Sequence, residues 1–359
     1  MTTTIPEPTG TSPGRTEPTP EQRAAATAVL QMIWGTHIAR AVHAAAALGI
    51  PDHLAGAPRS CADLAQATGT DEDSLYRVLR LLAALGVLTQ TERDTFALTI
   101  LGERLRSDAP ASMRRWALLF GTPSVFRPFE HFMSSVRTGQ PGFDTAHGLP
   151  VFDYLSGHPE DAAVFDAAML ERTTAFAPSV ASGYDFSDIR TVVDVGGGRG
   201  ILLAAILQAH PHLQGTLFEL PAVASGAEEV LTAAGVAGRC EVVTGDFFTG
   251  VPHGADCYVL ANVLHDWDDT RSADILAACR RVMTRHGRIL VVERLIPDTP
   301  ADAVPALLSD INMLVLTGGR ERTNAEYASL LRAAGLRPGP VRPVAFPYGI
   351  IEARRPDAR

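Results

Sequence analysis

The chain has 359 residues, of which 46% are hydrophobic and 20% charged, so it can bury a large core and form two folded units. Its net charge of −9 argues against a surface built to bind nucleic acid. No apolar run is long enough to span a membrane, and four scattered cysteines without a CxxC pair are typical of reduced thiols in a cytoplasmic protein.

The N-terminal third of the chain predicts a disordered tail followed by a winged-helix unit. Residues 1–20 are rich in Pro, Thr and Gly and lack the basic and hydrophobic segments of a signal peptide. Between residues 21 and 110, alanine-rich helical sequence precedes two helices separated by a turn at Gly69, and VLTQTERDTFALT then predicts two short strands. Helix-turn-helix followed by a hairpin is a winged-helix pattern.

Residues 111–185 predict a helical linker or substrate lid that is unusually rich in aromatic side chains. Most of these side chains are expected in a core, and a minority are candidates to line an apolar ligand pocket. The candidates that we assign to substrate binding in this segment are Trp116, Phe120, Phe165 and Met169.

From residue 186 to residue 359, predicted strands alternate with amphipathic helices. This pattern indicates an α/β fold with a Rossmann-like, doubly wound and mainly parallel sheet. Ligands bind such sheets at the carboxyl ends of the strands, near the point where the strand order reverses.

The stretch VVDVGGGRG, residues 192–200, carries an apolar strand into a glycine-rich turn before a helix. Nicotinamide dinucleotides prefer GxGxxG, whereas this turn has GGGxG followed by Ile201. The carboxylate of Asp194 would repel a pyrophosphate but would accept hydrogen bonds from a cationic amino group. Gly196 and Gly198 would let a ligand approach the backbone closely.

Acidic residues end the next two strands. Glu219 is suited to hold the hydroxyls of a ribose, while Asp246 and Phe247 in GDFF are suited to an adenine amino group and ring. A ribose, an adenine and an amino acid without phosphates describe S-adenosylmethionine. We also assign Asn262, after the fourth strand, to this cofactor.

The stretch LANVLHDWDD predicts the catalytic base. His265 titrates near neutrality and could remove a proton from an acceptor hydroxyl, with Glu293 or Glu321 stabilising the charged imidazole. Asp266 beside it is assigned to the substrate. A metal site formed by His265 and the neighbouring aspartates is disfavoured, because these residues lack a recognisable ligand spacing, and we predict no metal.

The set VVDVGGGRG, FELP, GDFF, NVLHDWDD, VVERLIP and GGRERT resembles the S-adenosylmethionine-dependent O-methyltransferases of the plant caffeate type and their bacterial relatives that tailor aromatic natural products, including antibiotics. The resemblance covers about residues 25 to 350. It implies a class I methyltransferase domain, a homodimer interleaved through the N-terminal domain, and substrate contacts from Met313. Thr317 is assigned to the same pocket.

The sequence departs from that family at two positions. Glu219 stands where the family usually has Asp, and Ala261 stands where plant members often have a lysine that contacts the cofactor. Some bacterial relatives use the bound cofactor in hydroxylation or decarboxylation chemistry, which is the main alternative function.

Two further alternatives belong to other classes of protein. A nicotinamide-dependent oxidoreductase is disfavoured by the glycine spacing. A winged-helix transcription factor is disfavoured because Asp71, Glu72 and Asp73 begin the candidate recognition helix and would repel phosphates.

Overall fold

The computed structural model describes residues 17–345 and 347–356. Residues 1–16 of the predicted tail lie outside these ranges, and residues 17–19 form no regular structure. The first helix begins at Pro20, and the Thr19 side chain caps it by accepting a hydrogen bond from the Gln22 amide. Proline is tolerated at the start of a helix because the amide it lacks would have no partner there.

The N-terminal domain consists of helices and a three-stranded sheet in the order β1–β3–β2. Its elements are α1 (Pro20–Ile33), α2 (Gly35–Ala47), α3 (Ile50–His53), β1 (Arg59–Ser60), α4 (Cys61–Thr68), α5 (Glu72–Ala84), β2 (Leu88–Gln90), β3 (Thr95–Leu98) and α6 (Ile100–Glu103). The α4–α5 pair and the β2–β3 hairpin match the predicted winged-helix pattern. The short strand β1, which pairs with β3, was not predicted.

The middle segment is helical, as the sequence predicts. Its elements are α7 (Arg114–Gly121), α8 (Pro123–Phe126), a 3-10 helix (Arg127–His131), α9 (Phe132–Thr138), α10 (Gly142–His147), α11 (Val151–Gly157) and α12 (Pro159–Gly183). A separate apolar cluster joins this segment to Val315 and Leu316 of the C-terminal domain. The helical segment is therefore packed against the domain that carries the predicted site.

The C-terminal domain alternates strands and helices around a mixed sheet. Its elements are β4 (Thr191–Val195), α13 (Ile201–Ala209), β5 (Gln214–Glu219), α14 (Pro221–Ala224), α15 (Ala227–Ala233), a 3-10 helix (Ala237–Arg239), β6 (Cys240–Thr244), β7 (Cys257–Ala261), a 3-10 helix (Leu264–Asp266), α16 (Asp269–Val282), β8 (Arg288–Ile296), α17 (Pro300–Leu316), β9 (Arg322–Thr323), α18 (Asn324–Ala333), β10 (Arg337–Pro343) and β11 (Tyr348–Arg354).

The strands run in the order β10–β11–β8–β7–β4–β5–β6, and β9 pairs with the end of β8. The strands β4 to β8 are mutually parallel, which confirms the predicted doubly wound sheet. The last hairpin is antiparallel, with β11 beside β8 and β10 at the edge. Because β5 and β6 extend the sheet on one side of β4 and β7 begins the other side, the order reverses between β4 and β7.

The central sheet is buried on both faces. Alternate residues of β8 belong to different cores, since Leu290 and Val292 pack with α12 and α13, whereas Ile289 and Val291 pack with α16 and α18. Among the described residues, none of the helices combines the length and apolarity that crossing a bilayer requires.

Candidate active site

The predicted site residues gather at the carboxyl edge of the sheet, beside the point where the strand order reverses. Val263, two residues before His265, lies against the glycine turn, since a Cβ on Gly196 would meet its side chain at 3.0 Å. Phe247 lies on the same side, 3.8 Å from that position. The turn after β4 and the loops after β6 and β7 therefore lie side by side at one edge of the sheet, where ligands bind in this kind of fold.

The glycine turn crosses directly over Asp194. A Cβ on Gly197 would come within 2.5 Å of the Asp194 carboxyl, so no larger residue fits there without a shift. Gly196 and Gly198 have φ values of +67° and +60°, which glycine adopts without steric cost. Glycine is therefore needed at Gly197 for space, and at Gly196 and Gly198 for backbone conformation.

Asp194 is the most deeply buried polar group of the turn, with 1% of its surface exposed. Neither carboxylate oxygen has a hydrogen-bond partner among the described residues. Burial, aided by the nearby charge of Glu219, raises the pKa of Asp194 to about 7. An unpaired buried carboxylate is costly, and a cationic group bound in the turn would remove that cost.

Glu219, at the end of β5, is already engaged by the protein. One of its oxygens accepts from the amide of Gly198 at 2.8 Å, and the other accepts from the amide of Leu220 at 2.7 Å. Asp246 is exposed and accepts from the amide of Phe248 at 2.8 Å, while Phe247 is half-buried. These acids project from consecutive strand ends, in the order that the sequence predicts.

Asn262 follows β7 in an unusual conformation for a residue with a side chain. Its φ is +54°, a left-handed value that asparagine tolerates better than most residues. The residue is buried, and its Oδ1 has no hydrogen-bond partner among the described residues. Local strain of this kind is concentrated at functional sites.

His265 lies on the 3-10 helix after β7, with its Nδ1 between two buried carboxylates. The Nδ1 is 3.4 Å from Oε2 of Glu293 and 3.4 Å from Oε1 of Glu321. On the other side of the ring, Nε2 is 3.7 Å from Oδ1 of Asp266. The two glutamates predicted as alternatives therefore flank the same nitrogen together, at ion-pair distances that fall short of hydrogen-bond geometry.

The two glutamates are held by different parts of the fold. Oε1 of Glu293, near the end of β8, accepts from the amides of Val263 and Leu264 at 3.1 and 2.9 Å. Oε1 of Glu321, in the loop before β9, accepts from the hydroxyl of Ser309 at 2.7 Å. Each carboxylate is fixed by a donor that does not come from the imidazole.

The pKa values in the buried cluster move in different directions, since the contact with His265 lowers the pKa of Glu321 against the effect of its burial. Burial disfavours a charged imidazole, but the carboxylates of Glu293, Asp266 and Glu321 outweigh it and raise the pKa of His265 above its usual range. Burial also raises the pKa of Glu293, against the effect of His265. His265 is therefore a stronger base than a free imidazole.

The ligand atoms of His265, Glu293 and Glu321 lie within 4.8 Å of one another, which is a spacing that a metal ion could use. This set differs from the His265–aspartate set that the sequence makes unlikely. Of those aspartates, Asp268 caps α16 by accepting from the amide of Arg271. Asp269 forms an ion pair with Arg322.

A buried arginine that the sequence analysis did not single out ties the His265 loop to the Glu321 loop. The guanidinium of Arg322 is 1% exposed and donates to the carbonyls of Leu264 and Trp267, at 3.0 and 2.9 Å. In the same loop, the amide of Arg320 donates to the carbonyl of His265 at 2.8 Å. Sequence reasoning missed these contacts because most of the partners are main-chain groups.

Close approach of the two loops also depends on Gly319. A Cβ at this position would come within 2.1 Å of the carbonyl oxygen of His265. The second glycine of GGRERT is thus required for packing against the loop that carries His265.

The residues assigned to the substrate occupy three helices. Trp116 and Phe120 of α7 stack with ring centroids 5.4 Å apart, and Phe120 remains exposed. Phe165 and Met169 of α12 are half-buried and pack on the apolar cluster of the middle segment. Met313 of α17 and Thr317, which directly follows this helix, are in contact. The hydroxyl of Thr317 donates a hydrogen bond to the carbonyl of Met313.

The fold and this arrangement define a Rossmann-like methyltransferase of class I that has an additional N-terminal domain. Residues 129–337 match the family model of the O-methyltransferase domain, and residues 30–108 match that of the O-methyltransferase dimerisation domain. The chain belongs to this O-methyltransferase family, and it is an S-adenosylmethionine-dependent O-methyltransferase.

Similar proteins act in bacterial antibiotic pathways. The phenazine O-methyltransferase PhzM of Lysobacter antibioticus is 43% identical, over 91% of this chain and 95% of its own. The solved structure of the mitomycin 7-O-methyltransferase MmcR is 42% identical and has a TM-score of 0.88, over 93% of this chain and 99% of that one.

Two further similarities bear on ligands and on divergence within the family. The O-methyltransferase NcsB1 from neocarzinostatin biosynthesis was solved with S-adenosyl-L-homocysteine and 1,4-dihydroxy-2-naphthoic acid; it is 37% identical with a TM-score of 0.78, over 89% of this chain and 96% of that one. The aclacinomycin 10-hydroxylase RdmB of Streptomyces purpurascens is 38% identical over 82% of this chain and 80% of its own.

Proposed function

We propose that the protein transfers a methyl group from S-adenosylmethionine to a phenolic hydroxyl of an aromatic small molecule, an intermediate of secondary metabolism or antibiotic biosynthesis. The observation that carries the proposal is the position of His265 between Glu293 and Glu321, next to a glycine turn that covers an unpaired Asp194. The relatives with antibiotic substrates support the aromatic acceptor.

The residues of the turn fit the cofactor. Asp194 would hold the ammonium of the amino acid end, because its buried carboxylate lacks any other counter-charge. Gly196 and Gly198 would present their backbone to the same end, with Asn262 beside it. Bound S-adenosylmethionine would supply the methyl group on a sulfonium, an electrophile that needs no metal.

The other end of the cofactor would lie along the next strand ends. Glu219 would bind the ribose hydroxyls, and Asp246 and Phe247 would bind the adenine amino group and ring. Glu219 keeps a hydrogen bond to the Gly198 amide, so the ribose contact and the turn support each other.

His265 would accept the acceptor proton at Nε2. With Nδ1 facing two carboxylates, the imidazole becomes more basic and its charged form is stabilised as the proton arrives. Asp266, 3.7 Å from Nε2, would border the acceptor. Proton removal at this nitrogen leaves the acceptor oxygen with the lone pair needed for attack.

The acceptor pocket would be mostly apolar. Its walls would come from Trp116 and Phe120 on one side, Phe165 and Met169 on α12, and Met313 with Thr317 on the third. Flat side chains on two helices favour a flat ring system.

We infer a homodimer formed through the N-terminal domain, which carries the family's dimerisation domain. The helix α1 buries none of its residues in the single chain. Met32, Ile33 and Trp34 are 77%, 67% and 51% exposed, and an apolar patch of this kind favours a protein interface. The molar mass in solution, measured by light scattering, tests this inference.

Calorimetric titration with S-adenosylhomocysteine, with NADH in parallel, tests the cofactor. One tight site per subunit for S-adenosylhomocysteine and none for NADH is the expected result. The His265→Ala variant should retain that binding and lose most methyl transfer to a phenol. Normal turnover by this variant would refute the assignment of His265 as the base.

The alternative is a hydroxylase or decarboxylase that binds the same cofactor. One relative of this chain, RdmB, is named a hydroxylase. Product analysis by mass spectrometry separates the two functions, because methyl transfer adds 14 mass units and hydroxylation adds 16. An unmethylated, oxidised or decarboxylated product would favour the alternative.

A further inference from the structure

The helix α12 carries a charged side chain on the face that is otherwise apolar. Phe165, Ala168 and Met169 lie on that face and belong to the apolar cluster of the middle segment. Arg172 follows at positions i+7, i+4 and i+3 from these residues, and so falls on the same stripe. At the next turn of the helix, the apolar face thus carries the guanidinium of Arg172 where a hydrophobic side chain would be expected.

The guanidinium of Arg172 forms no close ion pair in the part of the chain that the structure describes. Its Nε is buried without a hydrogen-bond partner, and no described carboxylate lies within 4.0 Å of the guanidinium. The adjacent Glu171 is engaged elsewhere, because its Oε2 accepts from the amide of Arg115 at 3.2 Å. A partly buried guanidinium without an anion is costly, which points to a ligand.

The surroundings of Arg172 are those of the acceptor pocket. Its guanidinium carbon is 6.0 Å from the ring centroid of Trp116, one of the two stacked aromatic residues of α7. It is also near enough to Asp266 for its charge to favour the ionised form of that carboxylate. Asp266 in turn lies 3.7 Å from Nε2 of His265. One carboxylate is therefore flanked by the catalytic nitrogen and by Arg172.

We propose that Arg172 is a substrate-binding residue, whose guanidinium pairs with a carboxylate on the aromatic acceptor. A guanidinium matches a carboxylate through two parallel hydrogen bonds, and the indole of Trp116 beside it offers a flat surface for the attached ring. The substrate class is therefore an aromatic hydroxy acid rather than a neutral phenol. This inference rests on the proposed methyl transfer from S-adenosylmethionine to a hydroxyl group.

The test compares 3-hydroxy-2-naphthoic acid with its methyl ester, in which the ionised carboxylate is replaced by a neutral group that carries one additional methyl. Both are titrated into the full-length protein saturated with S-adenosylhomocysteine, and both are assayed for methyl transfer with S-adenosylmethionine. The wild-type protein should bind the acid at least about tenfold more tightly than the ester, since a charge-assisted pair contributes at least that factor.

Three variants isolate the guanidinium. Arg172→Gln should bind the acid and the ester equally, while Arg172→Lys should retain part of the preference as a single point charge. Arg115→Gln, which removes an exposed guanidinium from the neighbouring helix α7, should behave as the wild type. Turnover of the ester serves as a check that each variant folds.

Three results would overturn the inference: equal binding of acid and ester by the wild type, no binding of the acid, or an equal loss for both compounds in Arg172→Gln. The last would mean that Arg172 only balances the charge of Asp266. Failure of the proposed function is detected by a separate measurement. In that case the wild-type protein would not bind S-adenosylhomocysteine.

Discussion

The guanidinium of Arg322 donates a hydrogen bond to the carbonyl of Leu264, the residue immediately before His265, across 3.0 Å. It also donates to the carbonyl of Trp267, so it holds both ends of the short helix that carries the imidazole. Because Arg322 directly follows Glu321, this side chain helps to fix the position of His265 relative to one flanking carboxylate, together with the hydrogen bond from the Arg320 amide to the carbonyl of His265.

Arg322→Lys should lower kcat by about 10- to 100-fold while leaving the affinity for S-adenosylhomocysteine within about twofold, because an ammonium cannot span the same carbonyls and displaced catalytic groups cost rates of this order. The pH profile of kcat should also shift, since the contact between His265 and Glu321 changes. The matched control is Arg320→Lys, an exposed arginine of the same loop that pairs with Glu326. Indistinguishable kinetics in the two variants would contradict a positioning role.

Methyl transfer should accelerate with rising pH and level off once His265 has lost its proton. Since neighbouring carboxylates raise the pKa of His265, the midpoint of this limb should lie above its usual value of about 6.5. Glu321→Gln removes one of these charges, so the limb should move to lower pH, and the plateau should fall by about tenfold or more because the base is weaker.

The control for this experiment is Asp188→Asn. Asp188 pairs with Arg288, which begins β8 at the end opposite Glu293. Its kcat profile should overlay that of the wild type. A Glu321→Gln profile with an unmoved midpoint would show that this carboxylate does not act on the base.

Binding of S-adenosylhomocysteine should release a proton near pH 6. Burial and the charge of Glu219 raise the pKa of Asp194 to about 7, so the free protein holds a proton there below neutrality. A bound ammonium would favour the ionised carboxylate, and the affinity should therefore rise with pH until Asp194 is deprotonated in the free protein. Calorimetry in buffers with different ionisation enthalpies measures the released proton.

In Asp194→Asn the proton release should disappear and the affinity should fall by about tenfold or more, because the charge-assisted hydrogen bonds are lost. An unaltered affinity would exclude Asp194 as the partner of the amino group.

Methyl transfer should not require a metal, although His265, Glu293 and Glu321 approach one another closely enough to bind one. One oxygen of each glutamate already accepts from a protein donor, and the sulfonium provides the electrophile. Activity after treatment with EDTA and desalting should equal that of untreated enzyme. Loss of activity that added Zn²⁺ restores would replace the base mechanism with a metal-dependent one.

The placement of the candidate site residues was predictable where strand ends converge. Asp194 and Glu219 lie at the ends of short apolar strands and His265 follows another, and parallel strands place their carboxyl ends at the same edge. Glu293 was predictable for a related reason, since it lies near the end of β8, which pairs with β7. Local periodicity and glycine spacing were sufficient for these residues.

Other features depend on contacts between distant segments and left no local pattern. Arg322 acts mainly on main-chain carbonyls, which any sequence would present. Arg172 interrupts an apolar stripe, but only the packing of α12 against α7 brings its guanidinium beside Trp116. The edge strand β10 contains Pro338, Pro340 and Pro343. Strand propensity alone argues against a strand with three prolines, but proline is tolerated at the edge of a sheet.

The hydrogen bond between the amide of Gly198 and the carboxylate of Glu219 gives the site a mechanical property. It joins the turn after β4 to the end of β5, so movement of one is coupled to movement of the other. If the turn and Glu219 hold the amino acid end and the ribose of the cofactor as proposed, a change at the turn should alter the release of product as much as its capture. A loosened turn should then make the enzyme quicker to exchange its cofactor and poorer at aligning it.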